Sequence, residues 1–268
     1  MTLLTQPMRP LPRSILGIAA DSWRVGIRAI AALPLLFATS FVANVAWEML
    51  LTGPVRTQIG MPGVSGVLVF AVSQIGTAAI QATTLIAVHR LAILGERIDR
   101  PNWRLPGSFL RFWLVLGLLN MAQLPGTLVS LVMGQAYPVL TILIYWTLLL
   151  ASTVVITRLS ILLPAIAVAS VDATVRQAWR NSRRHFWKIF VTALFMLIPL
   201  AIIPGVFIGI CRSSVVAADI VSAMSPVMKT TLAAVALSAL AVFGLPVGGV
   251  MASRFYQLYT PREPGPPA

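Results

Sequence analysis

Only seven carboxylate side chains, two histidines and one cysteine occur in the 268 residues of this sequence, which removes most of the groups from which catalytic and metal sites are built. A lone Cys211 excludes an intrachain disulfide and any metal site made of several thiolates. His89 and His185 stand at the ends of apolar runs with no partner at ligand spacing, so both read as interface residues and no metal is expected. Gly63-Val64-Ser65-Gly66 lacks the closing glycine of a nucleophile elbow. There is no phosphate-binding loop, and no serine, histidine and acid assemble into a catalytic set. Glu48 is the only acid near an apolar run, which leaves a carboxylate proton relay with almost nothing to work with. The expectation is a non-enzymatic protein with no catalytic residue and no cofactor.

Charge is sparse too. Only 10% of the residues are charged against 58% hydrophobic, with a mean hydropathy of +0.89, whereas soluble domains are about 25% charged. A water-soluble fold of this size cannot hide so much apolar surface. The 18 glycines and 19 prolines would damage soluble helices but are tolerated in transmembrane ones, where neighbouring helices satisfy the freed backbone groups. Taking about 20 apolar residues per crossing, spans are expected at Ile30 to Leu50, Val64 to Val88, Phe109 to Met133, Tyr137 to Thr157, Phe186 to Ile210 and Thr230 to Ala252. The predicted fold is all-α: one membrane domain over residues 1–268, a polytopic bundle of six transmembrane helices with interfacial amphipathic helices on its cytoplasmic side. The Pro-rich ends, 1–12 and 261–268, read as disordered tails. Arg28 followed by Ala29 to Ala43 imitates a signal peptide, but its charged region is too long and no small-x-small cleavage pair follows.

The net charge of +13 does not point to nucleic acid, because the basic residues lie between apolar runs and not on a soluble module. They follow topology instead. Seventeen of the twenty fall in segments that share one side of the membrane: the N-terminus, the connections after the second and fourth spans, and the tail. Arg56, Arg212 and Lys229 fall on the other. The positive-inside rule then places both termini in the cytoplasm. Arginine outnumbers lysine eighteen to two, a bias associated with GC-rich bacterial genomes, and the expected location is a bacterial inner (plasma) membrane. The uncharged connection Gly134 to Ala136 is so short that the third and fourth spans must form an antiparallel hairpin.

Two amphipathic pieces flank the spans. Between the fourth and fifth, Val171, Val175, Ala178, Trp179 and Ser182 fall on one helical face and Arg176, Arg180, Arg183 and Arg184 on the other. Such a helix lies in the headgroup plane, where each basic residue near an anionic leaflet contributes about 1 kcal/mol. Arg176, Arg180, Arg183, Arg184 and Lys188 are the candidate contacts to anionic phospholipid; the competing reading is a positive-inside anchor without lipid specificity. Leu11 to Arg28 is a weaker second interfacial helix, with Ile15, Ile18, Ser22 and Val25 on one side.

Polar stripes run inside the apolar helices. Ser40, Asn44 and Glu48 recur along the first span; Ser73, Thr77, Gln81 and Thr84 share a face of the second; Asn120, Gln123, Thr127 and Ser130 share one of the third. Asn44, Glu48, Ser73, Thr77, Gln81, Asn120 and Gln123 are the candidate polar interior, bonded between helices at about 0.6 kcal/mol each or lining a hydrated path. Gly205-x-x-x-Gly209 and Gly244-x-x-x-Gly248 fit close packing of the fifth span on the sixth. Pro199, Pro204 and Pro246 are expected to kink their helices. Ser22-Trp23-Arg24, Arg111-Phe112-Trp113 and Ala178-Trp179-Arg180 form a weak threefold repeat, better explained by interfacial Trp beside cytoplasmic Arg than by three related hairpins.

Two stretches carry a resemblance: His89-Arg90-Leu91-Ala92-Ile93-Leu94-Gly95-Glu96, and the run Arg158-Leu159-Ser160-Ile161-Leu162-Leu163-Pro164-Ala165-Ile166-Ala167-Val168 leading to Ala178-Trp179-Arg180 and Phe186-Trp187. They resemble a group of bacterial inner-membrane proteins, similar to the membrane domain attached to some glycerophosphodiester phosphodiesterases. The resemblance implies a six-helix bundle near phospholipid metabolism or envelope maintenance. It implies no phosphodiesterase activity, since that catalytic barrel is not in this sequence, and it carries no catalytic residues over. The leading expectation is a protein whose arginine-rich face engages anionic lipid or a membrane-protein partner. A transporter or permease subunit using the polar faces of the first three spans is the alternative, and an intramembrane lipid enzyme would need convergent nucleophile, base and acid groups that are not found.

Overall fold

The computed structural model describes residues 12–51, 64–96, 107–122, 124–133, 137–170, 173–213 and 224–260. Both tails expected to be disordered lie outside these, apart from Pro12, as do Gly134 to Ala136 and Gln123. Among the described residues every regular element is an α-helix. These are α1 (Ile15–Ala32), α2 (Pro34–Leu50), α3 (Val64–Leu94), α4 (Phe109–Met121), α5 (Leu124–Met133), α6 (Pro138–Leu159), α7 (Leu162–Ala167), α8 (Val175–Arg183), α9 (Phe186–Ser213) and α10 (Pro226–Tyr259). Among the described residues three stretches are long and apolar enough to cross a membrane: Val67–Leu94, Val139–Ala167 and Ala234–Tyr259. The pair α1 and α2 makes a fourth candidate, bent by 92°, and Phe186–Leu200 is a shorter apolar helix.

Prolines mark the departures from the expected spans. Pro34 has no N–H and pushes the residue before it out of helical geometry; Leu33 sits at φ −128°, ψ 49°. The chain turns there, so the first apolar helix starts at Pro34 instead of Ile30. The third expected span is divided into α4 and α5, and Pro125 stands in the first turn of α5, where its missing N–H costs no helical bond. Pro246, in contrast, sits inside α10 without ending it. α1 carries Ile18 and Ser22 on its buried side as expected, but that face packs on α10 and α9. It is a protein contact before it is a headgroup contact.

α10 is the centre of the molecule, packed against α1, α2, α3, α7 and α9. Its glycines let the neighbours come close. A Cβ on Gly26 of α1 would stand 2.9 Å from Val247, and one on Gly249 would stand 3.1 Å from Leu85 of α3. Gly244 faces Leu200 of α9, where a Cβ would meet its Cδ1 at 3.3 Å, while Gly248 has open space beside it. The α9–α10 approach therefore uses the first glycine of the expected pair, and the tight contact with α3 falls on Gly249. α5 and α6 lie antiparallel, as the short connection requires: Gly126 lies under the Tyr145 ring and Ser152 donates to the carbonyl of Ala122.

The main core is gathered around α7, six residues that are all buried, against α3, α4 and α10. α7 ends in a Schellman turn in which the N–H of Ser170 reaches Ala165 O at 3.0 Å and that of Ala169 reaches Ile166 O at 3.0 Å. The turn requires a left-handed residue, and Ala169 takes that place at φ 54°. Away from this core the helices expose large apolar side chains. In the apolar 18-residue stretch that marks Val139–Ala167 as a span only 6% of residues are buried, and Leu143, Trp146 and Leu150 of α6 are each 62% exposed. In water such a helix would be an aggregation surface; lipid tails satisfy it.

Candidate membrane-interface site

α8 begins because Thr174 caps it, its hydroxyl accepting from the N–H of Gln177 at 3.2 Å. Nine residues then divide by helical position. Ala178 and Ser182 are buried against the body. Arg176, Arg180, Arg183 and the capping Arg184 are exposed, and Lys188 on the first turn of α9 is half-buried. Val175 and Trp179, on the same face by sequence, are exposed at 56% and 39%, and Val171 lies outside the described residues. The buried face is narrow because only small side chains fit beneath α8. Trp179 and Trp187 thus stand at the surface beside four arginines, the arrangement that interfacial aromatic belts and headgroup-contacting cations adopt.

Neighbouring segments fasten α8 to the body. Arg111 of α4 donates to the carbonyl of Ala173, directly before the cap. The ring of His185, in the turn between α8 and α9, stacks on Tyr259 of α10 at 3.7 Å and 4°. Partial burial, then the charges of Lys188 and Arg184, hold the His185 pKa below its ordinary 6.5. Arg158, near the end of α6, places its guanidinium 4.6 Å from the Trp179 ring centroid and 5.6 Å from that of Phe186. Between α8, α7 and the end of α10 lies a shallow open depression lined by Thr174, Gln177, Asn181, Tyr256 and Thr260 on its polar side. Gln177 Oε1 already accepts from Arg180 at 2.6 Å.

Other basic residues at this end are paired within the chain. Arg254 binds Asp21 at 2.9 Å and joins α10 to α1, and Arg90 binds Glu96 through two nitrogens at 2.7 and 3.1 Å. Neither pair is an obvious sequence signal, since Asp21 and Arg254 are separated by almost the whole chain.

The polar stripes are placed mostly inward, and Asn44 and Ser73 bond to helix backbone. Asn44 and Ser40 are buried, with Asn44 Nδ2 donating to Ser40 O at 2.8 Å. Ser73 is buried and donates to Phe70 O at 2.9 Å, while its own carbonyl accepts from Trp47 Nε1 at 3.3 Å. Glu48, Thr77, Gln81 and Asn120 are half-buried, and Gln123 lies outside the described residues. Thr84 is fully buried, and its hydroxyl has no partner among the described residues.

His89 is misjudged by sequence reasoning. Expected at an interface, it is 1% exposed in the core between α3, α4 and α10. Its Nδ1 lies 2.8 Å from Ser253 Oγ, and that hydroxyl donates to Gly249 O at 2.9 Å. Since the serine proton is committed to the carbonyl, His89 donates from Nδ1. The pair fastens α3 to α10, and only its spacing on two helices 164 residues apart could have revealed it. No known family, no curated protein and no solved structure matches this chain, so the resemblance to the inner-membrane group rests on its two sequence segments.

Proposed function

We propose that this chain is a non-enzymatic integral protein of a bacterial inner membrane, crossing six times with both termini in the cytoplasm, whose arginine-rich face engages anionic phospholipid in envelope maintenance. One observation carries the reading: four exposed arginines and two exposed tryptophans lie together on α8 and the first turn of α9, at the end of helices that expose large apolar side chains. Cations, indole rings and an apolar flank are the three components of a headgroup contact. The uneven distribution of basic residues supports the orientation, and the apolar helices that exceed the three clearest spans support the count of six.

The test uses the full chain in a non-ionic detergent, with thermal unfolding followed after addition of phosphatidylglycerol or phosphatidylcholine. Phosphatidylglycerol should raise the midpoint further, since each cation near an anionic surface contributes about 1 kcal/mol. Replacing Arg176, Arg180, Arg183 and Arg184 with Gln should erase the difference. Equal shifts by the two lipids in the unchanged protein would remove headgroup charge from the account.

A further inference from the structure

Arg158 differs both from the arginines at this end that are paired within the chain and from Arg176, Arg183 and Arg184, which are exposed. Arg90 and Arg254 bind carboxylates, Arg111 binds the carbonyl of Ala173, and Arg180 binds Gln177. Arg158 is half-buried, lies against the rings of Trp179 and Phe186, and has no hydrogen-bond acceptor among the described residues; its Nε is buried and unpartnered. It is also the only charged side chain between Val139 and Ala167. A guanidinium whose faces rest on aromatic rings is withdrawn from water but keeps its planar edge, with its fork of N–H donors, for an anion. A cation held in an apolar helix in this way needs a counter-ion from outside the chain.

We infer that Arg158 anchors a discrete site for the phosphate group of a single membrane phospholipid, seated where the end of α6 meets α8 and the first turn of α9. This rests on the reading of the α8 face as a headgroup surface, but it assigns a stoichiometric site where that reading needs only a diffuse field. The lipid source follows from α6 itself. Leu143, Thr147, Leu150 and Ala151 fall on the same helical face as Arg158 and are exposed. Half a bilayer core is about 15 Å deep, or about ten residues of helix, which extends from Arg158 to Thr147. An acyl chain lying along this face places its phosphate at the guanidinium edge.

The experiment counts bound lipid on the full chain in dodecyl maltoside by native mass spectrometry, with dioleoylphosphatidylglycerol, dioleoylphosphatidylcholine, dioleoylglycerol and inorganic phosphate as separate probes. One saturable lipid is expected with both phosphate-bearing lipids and none with dioleoylglycerol. Arg158→Gln should weaken this site about tenfold and Arg158→Lys by less, because ammonium keeps the charge without the planar fork. If Arg158→Gln does not fold, judged by circular dichroism, Trp179→Leu replaces it: the cation stays, its support is lost, and binding should weaken roughly threefold. Replacing Arg176, Arg180, Arg183 and Arg184 with Gln should keep the single lipid while losing the preference for phosphatidylglycerol, so the two readings fail separately. Equal binding of dioleoylglycerol, or unchanged binding in folded Arg158→Gln, would overturn the site. Saturation by inorganic phosphate alone with the same Arg158 dependence would overturn its assignment to lipid.

Discussion

At Gly76 of α3, a Cβ would overlap the indole of Trp47, whose Nε1 bonds the Ser73 carbonyl one turn earlier. Gly76→Ala should therefore part α2 from α3 and cost about 1–3 kcal/mol, read as a lower thermal midpoint in detergent; an unchanged midpoint would show that Trp47 is free to move aside. His185 gives a residue-scale effect of pH. Its folded-state pKa is depressed, so the neutral ring favours folding, and that contribution is present above pH 6.5 and lost as pH falls through the folded value. Stability should fall more steeply below pH 6.5 in the unchanged protein than in His185→Gln. Parallel profiles would contradict it. Neither site is legible in the sequence, because Gly76 and Trp47, or His185 and Tyr259, meet only through the packing of separate helices.

The elements were legible to the extent that apolar length defines them. α2 ends at Leu50, α3 starts at Val64, α4 at Phe109, α6 at Pro138 and α9 at Phe186, each within a residue of the expected bound, but α3 runs to Leu94 and α10 to Tyr259, past the expected Val88 and Ala252. The extra turns are amphipathic: they bury His89, Ser253 and Phe255 while presenting Arg90 and Arg254 to acidic partners. Apolar length alone cannot register a helix that continues out of lipid on one buried face. α7 was missed because the expected fourth span ends at Thr157 and six apolar residues are too few for a crossing of their own; the helix break lies at Ser160 and Ile161. The turn that ends α7 carries a prediction. A left-handed L-residue costs about 1–2 kcal/mol, and Gly at that place recovers most of this against a larger unfolded-state entropy. Ala169→Gly should raise stability by up to about 1 kcal/mol, measured by thermal unfolding; a drop would mean that the Ala169 methyl makes a contact worth more than the strain.

For the whole molecule, the sequence and the structure agree on an all-helical chain in which several helices expose apolar surface that water would not tolerate. The buried core is at the end that carries α7, α8 and the paired arginines, so the helices protrude from a packed base. A base of this kind on the cytoplasmic leaflet would hold the Arg-rich face against anionic headgroups, and everything proposed for function depends on which side that base occupies. The direct measurement is labelling of intact cells with a membrane-impermeant maleimide, in a Cys211→Ser background carrying one new cysteine at a time. Arg56→Cys and Gln135→Cys should be modified from outside, while Arg100→Cys and Arg180→Cys should react only after the membrane is opened. Labelling of position 180 from outside with position 135 protected would contradict the orientation, and with it the assignment of the α8 face to the cytoplasmic leaflet.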